Sequence, residues 1–335
     1  MILNSDSLIK RIFAVSSILL VFLFTAIFLG ISMGPTESGM KLVWQSFDAK
    51  TENMMLHTII WRIRFPRALQ AALVGAALSL GGLVFQALLR NPLAEPYILG
   101  VSGGAAVGAI TGILMGFSRF PGISLTAFTG SMATLLLILV VAAGRSILDK
   151  DSLLLSGVMV NAFCSAIIMF LISLTQDSRL HNIMFWLMGD LSISDVRQTA
   201  ILAAMLFPCF IIIFRYSYIM NLLLMGRELA QSMGVNIKRT NVTLLVITSF
   251  MVSVTVSYCG LIGFVGLVIP HLLRIILGSD HRVLVPACLI GGGAYMVLCD
   301  LLARILPEQG EMPAGVITAM IGAPLFIILL KKGRR

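Results

Sequence analysis

Apolar runs of about 20 residues follow one another along almost the whole of this chain. A run of that length is what an α-helix needs to cross the ~30 Å hydrocarbon layer of a bilayer. Ten such runs are delimited, at residues 10–32, 66–88, 97–117, 125–143, 152–175, 199–215, 240–258, 262–277, 283–303 and 314–331. Turn-forming stretches separate them: "RNPLAEP", "SRFPGIS", "RSILDKD", "LGSDHR" and "PEQGEMP". Residues that are 58% hydrophobic and only 12% charged supply too little polar surface for a water-soluble domain. No connecting segment exceeds about 30 residues, which is too short for a separate soluble domain. The sequence therefore predicts an all-α polytopic membrane protein with about ten transmembrane helices, a single transmembrane domain over residues 1–335. The first run follows Lys10 and Arg11 and has no small-residue cleavage site after it, so it is expected to be retained as a helix.

With an even number of spans both termini lie on one side. That side collects 15 of the 24 Lys and Arg residues and 6 of the 15 Asp and Glu residues. By the positive-inside bias it is cytoplasmic. The net charge of +9 is then a topology signal, and no nucleic-acid partner is required to explain it.

This orientation puts "IIWRIRFPRALQ" on the outer side. Arg62, Arg64 and Arg67 stand there at the expected start of an inward-running helix, with Pro66 in its first turn and Phe65 pushed towards extended geometry. Cations at a helix N-terminus oppose its dipole by about 0.3–1 kcal/mol each. Snorkelling to lipid phosphates and docking of an acidic partner both account for the cluster.

No G-x-x-x-x-G-K-[ST], H-E-x-x-H or G-x-S-x-G pattern occurs. The five cysteines lie in or at the ends of apolar runs without a C-x-x-C pair, as small buried hydrophobes do. The four histidines fall on opposite sides, which argues against a shared metal site. Asp300 and Arg304 are four residues apart and fit a pair on one helix face. Glycines inside the runs, as in "GAALSLGG", suit close helix packing. "GLVFQALLR" (82–90) and "GLVIPHLLR" (266–274) agree at six of nine positions, a weak internal echo. In the long cytoplasmic segment 216–239, residues 226–233 suit one short helix. Leu229, Ala230 and Met233 would form its apolar side, and Gly234 would stop it. Such a helix fits either lipid headgroups or a partner's groove.

Four blocks carry a resemblance to a known family. They are "RIRFPRALQAALVGAALSLGGLVFQALLRNPLAEPYILGVSGGA", "LLLMGRELAQSMGV", "GLIGFVGLVIPHLLRIILGSDHRVLVPA" and "DLLARILPEQGEMPAGVITAMIGAPLFIILL". They resemble, in order and over residues 62–330, the permeases of bacterial ABC importers for iron chelates, haem and cobalamin. The resemblance implies the type II importer permease architecture in a bacterial cytoplasmic (inner) membrane. It also implies a second copy of the permease as a homodimer partner, two ATPase subunits and an extracytoplasmic substrate-binding protein. No cofactor is then expected on this chain, because ATP and Mg belong to the ATPase. "RFPR" and "DLLAR" match the family's docking arginines at Arg64, Arg67 and Arg304, which would receive acidic residues of the binding protein.

The family's ATPase-coupling segment falls at about 222–235, centred on Gly226, Arg227, Glu228, Leu229, Ala230, Gln231, Ser232, Met233 and Gly234. Its cytoplasmic gate falls at Asn91, Pro92 and Leu93 and at Lys150 and Asp151, where some relatives carry small hydroxyl residues instead. The implied cargo is a metal chelate, with a ferric siderophore first and cobalamin or haem next. An autonomous secondary transporter is the competing class. The scarcity of ionisable residues inside the runs and the coupling segment speak against it. An intramembrane enzyme has no catalytic constellation to support it.

Overall fold

The computed structural model describes residues 5–34, 57–143, 150–175, 177–192, 194–307 and 310–332. Among these residues there are thirteen α-helices and no strand. They are α1 (Ser5–Ser32), α2 (Phe65–Leu89), α3 (Val101–Leu114), α4 (Ser124–Ala143), α5 (Lys150–Ser173), α6 (Asp177–Leu187), α7 (Val196–Arg215), α8 (Ser217–Met225), α9 (Arg227–Ser232), α10 (Ile237–Cys259), α11 (Val265–Leu277), α12 (His281–Ile305) and α13 (Ala314–Lys332). Each of the ten apolar runs carries a helix. Seven helices are long and apolar enough to cross a membrane, while α3, α11 and α13 are shorter apolar helices. The third and eighth runs are thus only partly helical. With 14 and 13 residues, α3 and α11 are about 20 Å long, well short of the hydrocarbon layer. The short helices α6 and α8 lie outside the ten runs.

α2 is the central element, buried along almost all of its length, and α12 runs beside it. Small residues let the two backbones touch. A Cβ on Gly75 would collide with the Gly292 carbonyl oxygen, so only glycine fits there. The two halves of the internal echo also meet each other, because a Cβ on Gly82 of α2 would collide with the Gly266 carbonyl of α11. One core of Leu, Val, Ile and Ala side chains from α2, α3, α7, α10, α11 and α12 surrounds this axis.

The start of α2 differs from expectation. Phe65 is helical, at φ −65° and ψ −51°, rather than extended. A π-helical turn over Ile59–Arg64 precedes it. The wider turn makes room for the Pro66 ring and tolerates its missing N–H, so the helix continues through the proline. The three arginines therefore sit within a helical run and not at its first turn.

Candidate functional site

Two of the three arginines expected to form a docking patch, Arg67 and Arg304, come together on one carboxylate, Asp300. Arg67 Nε donates to Asp300 Oδ1 at 2.9 Å, and its Nη1 to Glu311 Oε2 at 2.6 Å. Arg304, one turn along α12 from Asp300, pairs with it through Nε at 3.2 Å. The i,i+4 pair read from sequence is present, and Arg67 makes it a triad. Arg304 Nη2 also donates to Gly30 O at 3.0 Å, and Arg64 Nη1 to Ile31 O at 3.2 Å. Both guanidinium groups thus reach the last carbonyls of α1, where unpaired acceptors and the negative helix end favour cations. All three arginines and Asp300 are buried, and Asp300 is 1% exposed. Glu311 is the solvent-facing member, its side chain 35% exposed. Sequence reasoning missed it although it stands in the polar "PEQGEMP" turn. Arg62, which lies outside the family motif, is exposed.

The opposite ends of the helices carry the segment expected to couple to an ATPase. Gly226 (φ +131°) and Gly234 (φ +83°) take backbone conformations that favour glycine, and they bracket α9. Gly234 N–H closes on Gln231 O at 2.9 Å. Only part of the expected apolar side is packed. Ala230 is buried in a cluster with Leu222, Leu223 and Ile237, whereas Leu229 and Met233 are exposed. The six-residue helix buries one residue, Ala230. Arg227, Glu228, Gln231 and Ser232 are exposed around it.

The first candidate gate segment continues from α2. Asn91 Oδ1 accepts from Leu93 N at 2.9 Å, forming a tight turn, and Pro92 and Leu93 are exposed. The chain then turns into the bundle. Glu95 Oε1 accepts from Phe264 N at 2.7 Å. Tyr97 Oη donates to Ile262 O at 2.6 Å and accepts from Ile262 N at 2.8 Å. These bonds satisfy the non-helical backbone that precedes α11, where Phe264 itself has φ +68°. Buried irregular backbone needs such partners, and a carboxylate suits the positive end of α11. The short helices α3 and α11 both begin beside this crossing, which explains why their runs are incompletely helical. The side chains of Lys150 and Asp151, the second gate candidate, lie outside the described residues.

On the arginine side a cavity of about 570 Å³ is lined by Arg119, Arg179, His181, Asn182, Trp186 and Asp190 among others. Arg119 and Asp190 pair at 2.6 Å. Burial raises the Asp190 carboxyl pKa, but Arg119 and the Ser192 contacts outweigh it and hold it below the ordinary value.

A family model described as the FecCD transport family matches residues 19–332. A protein of Salmonella arizonae named "Vitamin B12 import system permease protein BtuC" is 42% identical over 278 residues, covering 82% of this chain and 84% of its own. The protein of the same name from Escherichia coli O9:H4 is likewise 42% identical over 278 residues. A solved structure, described as an inward-facing conformation of an ABC transporter assigned to the metal-chelate type, superposes with a TM-score of 0.85. It is 30% identical and covers 96% of this chain and 99% of its own.

Proposed function

The chain belongs to the FecCD transport family and is an ABC importer permease, and on that premise we propose that it carries a large metal chelate across a bacterial cytoplasmic membrane. The relatives' shared name supports vitamin B12 as the cargo, and they match four-fifths of the chain. A ferric siderophore, the cargo the sequence resemblance put first, is the second reading. The fit to a metal-chelate type transporter supports it equally.

In this reading the permease works as a homodimer with two ATPase subunits, and both termini are cytoplasmic. α9 is the contact to the ATPase, which binds ATP and Mg. The exposed Glu228, Leu229 and Met233, presented between two glycine hinges, support that role. Asn91, Pro92 and Leu93, with Lys150 and Asp151, form the cytoplasmic gate. Arg64, Arg67 and Arg304 receive acidic residues of the binding protein. Their burial means that a partner meets no free charges there, and reaches Arg67 by displacing or joining Glu311. Charge reversal there would break the fold, so the informative variants are Arg67→Lys and Arg304→Lys. Binding-protein affinity should fall at least tenfold in each while the ATPase still copurifies. Unchanged affinity in both would remove the docking role.

The decisive experiment is uptake into proteoliposomes holding permease and ATPase, with cyanocobalamin, ferric siderophores and haemin each offered on the cognate binding protein. ATP-dependent accumulation of one chelate is expected. Accumulation without the ATPase would instead identify an autonomous carrier.

A further inference from the structure

Asn221 lies in α8, five residues before the glycine that opens the coupling segment. Its side chain bridges to the start of α12. Nδ2 donates to Asp280 Oδ1 at 2.7 Å. Oδ1 accepts from the backbone N–H of His281 and from its ring Nδ1, both at 2.8 Å. The first N–H groups of a helix have no partner within that helix. Here one of them is capped from another helix, while Asp280 caps Arg282 N at 2.9 Å. A second bond holds α8 two residues further on. Arg90, in the left-handed position that ends α2, donates through Nη2 to Leu223 O at 2.6 Å.

α8 is therefore pinned to the adjacent ends of α2 and α12. Those two helices touch through Gly75 and Gly292 and are joined at their far ends by Arg67 and Asp300. From His281 to Asp300, α12 spans about 29 Å between the two junctions. The buried side chain of α9 is Ala230, packed with Leu222, Leu223 and Ile237. Two of those three anchors belong to α8.

We infer that Asn221 is a positioning residue that transmits displacement of α9, through α8, to the α2–α12 pair and so to the arginine cluster. The inference rests on the coupling role proposed for α9.

The test uses the permease purified with its co-expressed ATPase. Ile305, exposed at the far end of α12, is replaced by cysteine and labelled with an environment-sensitive fluorophore. The five native cysteines are buried. ATP with vanadate should change the emission of the otherwise wild-type complex. In Asn221→Ala, and in Arg90→Gln, an exposed position, that change should fall at least fivefold while ATP hydrolysis stays within twofold. Asn221→Asp, which sets two carboxylates together, should behave like Asn221→Ala. The swap Asn221→Asp with Asp280→Asn should recover the response. A merely structural role would lower hydrolysis, assembly and response together. An unchanged response in Asn221→Ala and Arg90→Gln overturns the inference while leaving the importer reading intact. No response in the otherwise wild-type complex overturns the inference together with the coupling role proposed for α9.

Discussion

Asp300 sits between two guanidinium groups, and its removal would leave Arg67 and Arg304 buried against each other. Breaking a buried pair in that way costs about 3–5 kcal/mol. Glu311 is 35% exposed and bonds only one edge of Arg67, so its loss should cost about 0–1 kcal/mol. Thermal unfolding in detergent should therefore rank Asp300→Ala far below Glu311→Ala, and equal shifts would show that the triad is not the stabilising unit. Asp280 gives a pH prediction. Burial raises its carboxyl pKa, but bonds from Arg282 and Asn221 outweigh that and bring it down to about 2. A depressed pKa stabilises the folded state above the unfolded value, near 4, and that contribution is lost as pH falls through the folded value. The difference in melting temperature between wild type and Asp280→Asn should hold from pH 7 to about pH 4 and shrink towards pH 2. A difference that grew on acidification would contradict the assigned bonds.

The helices themselves were legible because a 20-residue apolar run in lipid admits few alternatives to a helix. The crossing of residues 91–97 with 262–264 was not. Its order comes from Glu95 and Tyr97 bonding backbone more than 160 residues away, which no local pattern reveals. The same limit hid the burial of the arginines. Their motif positions were readable, but their acceptors lie on α1 and α12. α9 was readable because glycines mark both of its ends. Glu95→Leu should leave Phe264 N–H unpaired and cost about 1–3 kcal/mol, whereas Glu95→Gln keeps an acceptor and should cost less. The glycine contacts make a second contrast. Gly82→Ala forces α2 away from α11 and should destabilise by about 1–3 kcal/mol. Gly291→Ala, whose new Cβ would meet Leu273 at 3.5 Å, should be neutral or stabilising. Equal effects in melting temperature would mean the close approach at Gly82 relaxes freely.

For the molecule as a whole, the contacts proposed for the arginine cluster with the binding protein and for α9 with the ATPase both require one orientation, which rests on the lysine and arginine count. That argument has a direct physical readout. Met115, at the end of α3, and Met225, at the end of α8, are both exposed and lie at opposite ends of the bundle. The charge count puts Met115 outside and Met225 inside. The native cysteines are free but buried, so background labelling should be low. A membrane-impermeant maleimide should modify Met115→Cys in right-side-out vesicles and Met225→Cys only in inside-out vesicles. The reverse pattern would place the coupling segment on the side that lacks ATP. The importer assembly would then fail on topology alone, whatever its cargo. Labelling of both positions from one side would break the count of spans between them, which is odd only if α4, α5 and α7 cross with the short α6 remaining at one surface. Crossing by α4, α5 and α7 is three passes, so the two positions must differ in side. The labelling pattern therefore tests the number of crossings as well as their direction.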